Sequence, residues 1–151
     1  MNDARAICLA PVKPAEMREE SIYTRFAGAA GAGFPSPAQD WAEDAIDLAK
    51  WLRLDRPGSF VFRVSGNSML DAGIFDNDIL VVDRGKEPSH GNIVIGISHG
   101  GFVVRQYILR AGRPLLEARN HQMSYPSTDG DETAEIWGVV RSVVRNTLGG
   151  Q

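Results

Sequence analysis

Residues 59–146 alternate short apolar runs, rich in β-branched and aromatic side chains, with turn-forming residues. Such alternation is typical of strands that bury one face, and Gly, Pro and Asn between the runs favour tight connections. Two connections, SHGG at residues 98–101 and AGR at residues 111–113, are short enough for hairpins. The pattern predicts a mainly β fold with strands in SFVFRVS, DILVVDR, NIVIGIS, GFVVRQYIL, PLLEAR and EIWGVVRSVVRN.

One short helix is predicted ahead of the strands, over residues 40–54. Apolar residues recur there at intervals close to one helical turn, as in a helix with one buried face. Pro57 and Gly58 follow and favour the end of the segment. The apolar positions are Trp41, Ala45, Leu48 and Leu52.

Residues 25–40, with the sequence RFAGAAGAGFPSPAQD, contain too few large apolar side chains to build a core. Pro35 and Pro37 hold their neighbours extended. Two interpretations fit: a flexible linker, or an exposed arm whose residues 30–37 dock in a groove as an added strand. We therefore divide the chain into a flexible N-terminal arm, residues 1–38, and a compact β domain, residues 39–151.

Length and composition limit the class of protein. A chain of 151 residues with 43% hydrophobic and 23% charged residues is typical of one globular domain with tails. A net charge of -3 without a basic cluster argues against direct binding of nucleic acid. Cys8 is the single cysteine, which favours the reducing cytoplasm. No apolar run approaches the roughly 18 residues that span a membrane, so we expect no membrane anchor.

Ser68 lies in the motif SGNSM, between two predicted strands. A serine in a Gly-Asn turn is usually a turn residue whose hydroxyl bonds its own backbone. The alternative is a nucleophile, which needs a neighbouring base to take its proton. This motif alone does not decide between the two.

Five segments taken in order, AGFPSPAQDW, IDL, FVFRVSGNSMLDAGIFDNDILVVDR, PSHGNIVIGI and EIWGVV, resemble the UmuD-like members of the LexA-type self-cleaving serine peptidases. The resemblance runs from about residue 33 to residue 144, and FPSPA followed by SGNSM is its most specific part. It implies a compact β fold in which an N-terminal arm is cut once, beside a glycine, by a Ser-Lys dyad. It also implies a role in the SOS response.

Carried onto this sequence, the resemblance implies that Ser68 is the nucleophile and that the scissile bond is Ala32-Gly33. The backbone N–H groups of Asn67 and Ser68 would donate to the oxyanion. Small residues on both sides of the bond let the backbone approach the serine. A second pair, Ala30-Gly31, is the alternative, but only Gly33 directly precedes FPSP.

The position of the family's lysine, in GFVVRQYIL, holds Arg105 in this chain. Burial can lower the pKa of a lysine from about 10.4 to about 7 or 8, so that it accepts a proton at neutral pH. An arginine keeps its proton up to about pH 12 and cannot replace it as a base. The adjacent Gln106 cannot act as a base either. The three lysines, Lys13, Lys50 and Lys86, are interpreted as solvated charges.

Other titratable residues are interpreted as structural. His90, His99 and His121 lie in turns or loops, where an exposed histidine is commoner than a catalytic base. Asp76 and Asp78 could suggest a metal, but the oxygen-ligand pattern of a calcium loop is missing. We expect no metal and no other cofactor.

Three functions compete. The first is a UmuD-like protein that, once processed, serves as accessory subunit of an error-prone translesion polymerase of UmuC type, with the RecA filament provoking the cut. The second is a pseudopeptidase of the same fold that never cuts itself, or is cut by a lysine-bearing partner, and Arg105 favours it. The third, a leader peptidase, conflicts with the missing membrane anchor. A full repressor is disfavoured because only 32 residues precede Gly33. Self-cleavage is thus left open between intact, impaired and absent.

The segment EIWGVVRSVVRN carries more apolar surface than one edge strand of a small domain easily hides. Either these side chains fill the core, or the strand is covered in a homodimer. We expect a homodimer. The residues concerned are Ile136, Trp137, Val139, Val140, Val143 and Val144.

Overall fold

The structure is a computed structural model that describes residues 5–8, 23–25, 30–34, 45–125 and 135–149. Its helical elements are α1 (Leu48–Trp51) and a 3-10 helix (Leu70–Ala72). Nine strands follow in chain order: β1 (Arg5–Cys8), β2 (Tyr23–Arg25), β3 (Ala45–Asp47), β4 (Ser59–Ser65), β5 (Ile79–Asp83), β6 (Ile93–Ser98), β7 (Gly101–Arg110), β8 (Arg113–Glu117) and β9 (Glu135–Val144).

Seven strands form one antiparallel sheet in the order β1-β4-β5-β9-β6-β7-β8, while β2 and β3 form a separate pair. The large sheet curls, because β1 also pairs with β7 at Arg5 and Val103. Each of the six predicted strand segments overlaps one strand of this sheet. The predicted mainly β fold is confirmed.

The segment before β4 differs from its predicted structure. Within the described part of the predicted helix, residues 45–54, only Leu48–Trp51 is helical, because Ala45–Asp47 pairs with β2. Trp41 lies outside the described residues. The helix is short because Arg53 has a left-handed backbone, with φ of 62°. Its apolar side chains are not buried as expected: Leu48 is 48% exposed and Trp51 is 68% exposed. No helix in the described ranges is long and apolar enough to cross a membrane.

The predicted arm contains two strands that the sequence analysis missed. β1 belongs to the large sheet and β2 pairs with β3. Neither segment has the alternation or length that distinguishes a strand from a loop, since each is only three or four residues long. The predicted boundary between residues 38 and 39 lies outside the described residues.

The main core lies inside the curled sheet and is built on aromatic rings. Trp137 makes edge-to-face contacts with Phe60, Phe62 and Phe102, at centroid distances of 4.9, 5.1 and 5.7 Å. A second cluster contains Val94, Leu116 and Val139. Much of the apolar surface of β9 therefore fills these cores, whereas Val143 and Val144 remain 42% and 38% exposed.

Gly138 lies where β9 passes closest to β5. A Cβ at this position would be 2.7 Å from Val82 Cγ1 and 3.1 Å from the carbonyl oxygen of Asp83. Val82 is fully buried, so its side chain has no free space to move into. The glycine thus permits the close approach of the two strands.

We expect Gly138→Ala to lower the free energy of unfolding by about 1–3 kcal/mol, because the added methyl group overpacks the sheet. Urea unfolding measures the effect. Gly85→Ala is the matched control, since its Cβ would meet only Asp83 Oδ1 at 3.6 Å. Equal unfolding midpoints for the two variants would contradict the steric argument.

Candidate active site

Ser68 lies in a turn, residues 66–72, that leaves the end of β4. The turn begins at Gly66, whose φ of 99° is a left-handed conformation that glycine adopts without strain. The Gly66 N–H donates to Asp76 Oδ1 at 2.7 Å, which ties the turn to the segment before β5. Met69 is fully buried in the main core and anchors the other side of Ser68.

The structure brings Ser68 and Arg105 together. Arg105 belongs to β7, and its Nη1 donates to Ser68 Oγ at 3.0 Å and to the carbonyl of Val104 at 2.8 Å. Ser68 is fully buried and Arg105 is 4% exposed. The guanidinium also lies over the ring of Tyr125, with its Cζ 5.9 Å from the centroid.

This geometry gives Ser68 a hydrogen-bond donor where the Ser-Lys mechanism needs a proton acceptor. A guanidinium has five N–H donors and no acceptor. Arg105 therefore orients the hydroxyl and places a positive charge beside it, but the guanidinium has no acceptor for the serine proton. Gln106, the neighbour on β7, donates from Nε2 to the carbonyl of Gly91 at 2.9 Å.

The backbone around Ser68 is held by residues 118–121, and the sequence analysis did not predict this contact. The Arg119 N–H donates to the carbonyl of Ser68 at 2.8 Å, and Asn120 Nδ2 donates to the carbonyl of Asn67 at 2.8 Å. The second bond orients the Asn67-Ser68 peptide, and in a trans peptide the N–H points away from the carbonyl. Asn120 thereby sets the direction of the Ser68 N–H, one of the two expected oxyanion donors.

The predicted cleavage site lies in an exposed segment. Residues 30–34 are all exposed and belong to no strand, and no atom outside the adjacent residues lies within 4 Å of the position that a Cβ on Gly33 would occupy. Phe34 is 92% exposed. Because Ser68 is buried, attack on Ala32-Gly33 requires a rearrangement of the arm. Residues 35–37 of the expected docking strand lie outside the described residues.

The histidines have structural partners. His90 Nδ1 accepts from the Leu109 N–H at 3.0 Å, and His99 Nδ1 contacts Ser98 Oγ at 3.0 Å. His121 Nδ1 lies 2.8 Å from Asp71 Oδ1. The hydrogen bond from the His121 side chain is the main reason that the pKa of the Asp71 carboxyl is lowered. All three rings are exposed.

The two turn acids also serve the fold. Asp76 accepts from Gly66, as described, and Asp78 accepts from the side chain of Arg145. Among the described residues, no three of His, Cys, Asp and Glu lie close enough to form a metal site. Lys50 and Lys86 are exposed, and Lys13 lies outside the described residues.

Comparisons with known proteins agree with this architecture. A family model described as Peptidase S24-like matches residues 25–141. Protein ImpA of Escherichia coli is 40% identical over 141 residues, which are 89% of this chain and 93% of ImpA. Protein MucA of the same species is 43% identical over 110 residues, or 72% of this chain and 75% of MucA. LexA repressor 1 of Nocardia farcinica is 37% identical over 127 residues, covering 84% of this chain and 57% of the repressor.

The matched region contains the serine turn, the strand that carries Arg105 and the exposed Ala32-Gly33 segment. The match covers most of the chain, and the two relatives with the higher identities match over most of their own length. This chain therefore belongs to the Peptidase S24-like family, as a UmuD-like member of its LexA/UmuD type.

Proposed function

We propose that this protein acts in the SOS response as a UmuD-like accessory subunit of an error-prone translesion DNA polymerase. Its partners would be a UmuC-like polymerase subunit, the RecA filament and a second copy of the chain, all in the cytoplasm. The observation that supports the proposal is the hydrogen bond from Arg105 to the buried Ser68, in a chain similar to ImpA and MucA over most of its length.

Processing would occur at Ala32-Gly33. Ser68 Oγ would bond to the carbonyl carbon of Ala32, the bond to the Gly33 nitrogen would break, and the serine proton would pass through a base to that nitrogen. Water would then hydrolyse the ester and leave a carboxylate on Ala32. The exposed position of the segment supports its delivery to a serine, in the same chain or in another.

The second candidate is a pseudopeptidase that keeps the interactions of the family and does not cut itself. The hydrogen bond from Arg105 Nη1 to Ser68 Oγ supports it, because a guanidinium donates to the serine and has no acceptor for its proton. In this case Ala32-Gly33 either stays intact or is cut by a lysine-bearing relative. The accessory role is common to both candidates.

The accessory role predicts a stable complex with a UmuC-like subunit and faster synthesis across a damaged template base. Size-exclusion chromatography with light scattering measures the complex, and primer extension on a lesion-bearing template measures synthesis. A replicative polymerase is the control and should gain nothing. Absence of both complex and stimulation, with full-length chain and with chain cut at Ala32-Gly33, would rule out the role.

A further inference from the structure

β1 fills a gap between two strands that are far from it in sequence. It runs antiparallel to β4, where Arg5, Ala6, Ile7 and Cys8 pair with Ser65, Val64, Arg63 and Phe62. Its other edge pairs with β7 through Arg5 and Val103. The N-terminal segment thus supplies the strand that joins β4 to β7 and curls the large sheet.

The main-chain pairing of β1 is of a kind that any extended segment could make. Main-chain pairing with β4 does not depend on side-chain identity. Side-chain selection falls on Ala6, which is 5% exposed and packs in the main core with Phe62 and Val64. The methyl group of Ala6 buries little apolar area, and a strand of only four residues gains from a covalent link that keeps it beside the gap.

That covalent link runs through the exposed segment that contains Ala32-Gly33. In the intact chain the link keeps β1 at a high effective concentration beside β4 and β7. A cut between Ala32 and Gly33 breaks the covalent link between β1 and the strands that hold it, and leaves the fragment attached through the pairing of β1 and the three-residue pairing of β2 with β3. Occupancy of the gap then becomes a bimolecular equilibrium, open to the same segment from another copy.

We propose that the gap between β4 and β7 is a strand-binding site that accepts residues 5–8 without a covalent link. After the arm is cut, one copy of the protein takes this strand from a second copy. The occupant is an extended segment, antiparallel to β4, with a small apolar residue at the position of Ala6. The strand-binding site does not depend on the proposed function. Only the opening of this site by self-cleavage rests on the proposed function.

The test places a recognition sequence for a site-specific protease at residues 30–34 of the full chain, so that cutting does not require Ser68. A fluorescent peptide of residues 1–12 is then added to cut and uncut protein, and binding is followed by fluorescence anisotropy. We expect the cut protein to bind the peptide at least ~10-fold more tightly than the uncut protein, because the linked strand no longer competes. An Ala6→Ser peptide should bind similarly, and an Ala6→Glu peptide at least ~10-fold more weakly, because its charge would enter the core.

A second experiment covers the case in which the cut protein unfolds. The uncut full chain carrying Ala6→Glu should lose its own β1 from the gap and take up the unmodified peptide, whereas the uncut parent should not. The proposal is overturned if neither cut protein nor the Ala6→Glu chain binds the peptide. It is equally overturned if the Ala6→Glu peptide binds as tightly as the unmodified one. Failure of self-cleavage would contradict only the processing step.

Discussion

Replacing Arg105 with lysine is expected to produce a protein that cuts itself at Ala32-Gly33, whereas the unmodified protein stays full length for hours at pH 7. The two side chains reach the same buried serine, but only a lysine made neutral by burial can accept its proton. General-base catalysis is typically worth about 100-fold or more in rate. We therefore expect at least ~100-fold faster appearance of the fragment that begins at Gly33.

Mass spectrometry of intact protein measures this cut. The control is Arg105→Lys combined with Ser68→Ala, which should remain whole because it has a base but no nucleophile. The rate for Arg105→Lys should rise with pH, since more of the lysine is then neutral. Equally fast cutting by the unmodified protein would show that Ser68 uses a base other than residue 105.

An experiment in which two variants are mixed distinguishes cutting within one chain from cutting between chains. A tagged chain with Ser68→Ala serves as substrate for the Arg105→Lys variant. Cutting of the tagged chain at Ala32-Gly33 would support the second candidate function, in which a lysine-bearing relative processes this protein. The exposure of residues 30–34 makes them available to either route.

Asp78→Ala is expected to lower the free energy of unfolding by about 2 kcal/mol, less than for an ion pair buried on both sides, because the Arg145 side chain is 40% exposed. The Asp78 carboxylate is 1% exposed and accepts from Arg145 Nε and Nη2, both at 2.6 Å, and from the Phe75 N–H at 2.8 Å. Arg145 also stacks on Phe75, with its Cζ 4.2 Å from the ring centroid. Removing the carboxylate leaves these donors without their shared acceptor.

Urea unfolding with an unchanged m value measures the loss from Asp78→Ala. Arg110→Ala is the matched control, because it breaks an ion pair with Glu117 at 2.9 Å on the surface, where Arg110 is 65% exposed. Exposed pairs contribute under about 1 kcal/mol. Comparable losses in the two variants would show that burial does not strengthen the Asp78 pair.

The same pair predicts a pH dependence. Burial acts to raise the pKa of the Asp78 carboxyl, but the hydrogen bonds from Arg145 and the Phe75 N–H, together with the charge of Arg145, lower it below its ordinary value near 3.8. Its contribution is therefore present above the ordinary value and is lost as the pH falls through the folded-state pKa. The stability difference between the parent and Asp78→Ala should shrink in that acidic range.

Strands β4 to β9 could be predicted because each carries its own local signal. SFVFRVS places Phe60, Phe62 and Val64 in or against the core inside the curled sheet, and the alternation needed to do so is visible in the letters alone. The spacing of Trp41, Ala45, Leu48 and Leu52 predicted a helix that is longer and more buried than the described one. Periodicity shows only that a segment is able to form a helix with one apolar face. It does not report whether the rest of the protein offers a surface to bury it.

Part of the candidate site could also be found without coordinates. Ser68 and Arg105 were identified as a pair through the resemblance of whole segments, and the chemical consequence of an arginine at this position follows from its proton affinity. The support from Asn120 could not be found, because a lone asparagine in a loop has no periodic or motif signal. Its hydrogen bond to Asn67 joins residues 53 positions apart.

Local alternation thus specified the strands, and residue chemistry specified that Arg105 cannot act as a base. Only the tertiary structure decided that β1 closes the gap between β4 and β7, that residues 118–121 hold the serine turn, and that α1 stays exposed. The physical reason is the range of the interactions. Strand propensity acts between near neighbours in the chain, whereas strand order, burial and side-chain bonds to a distant backbone arise only when the whole sheet has formed.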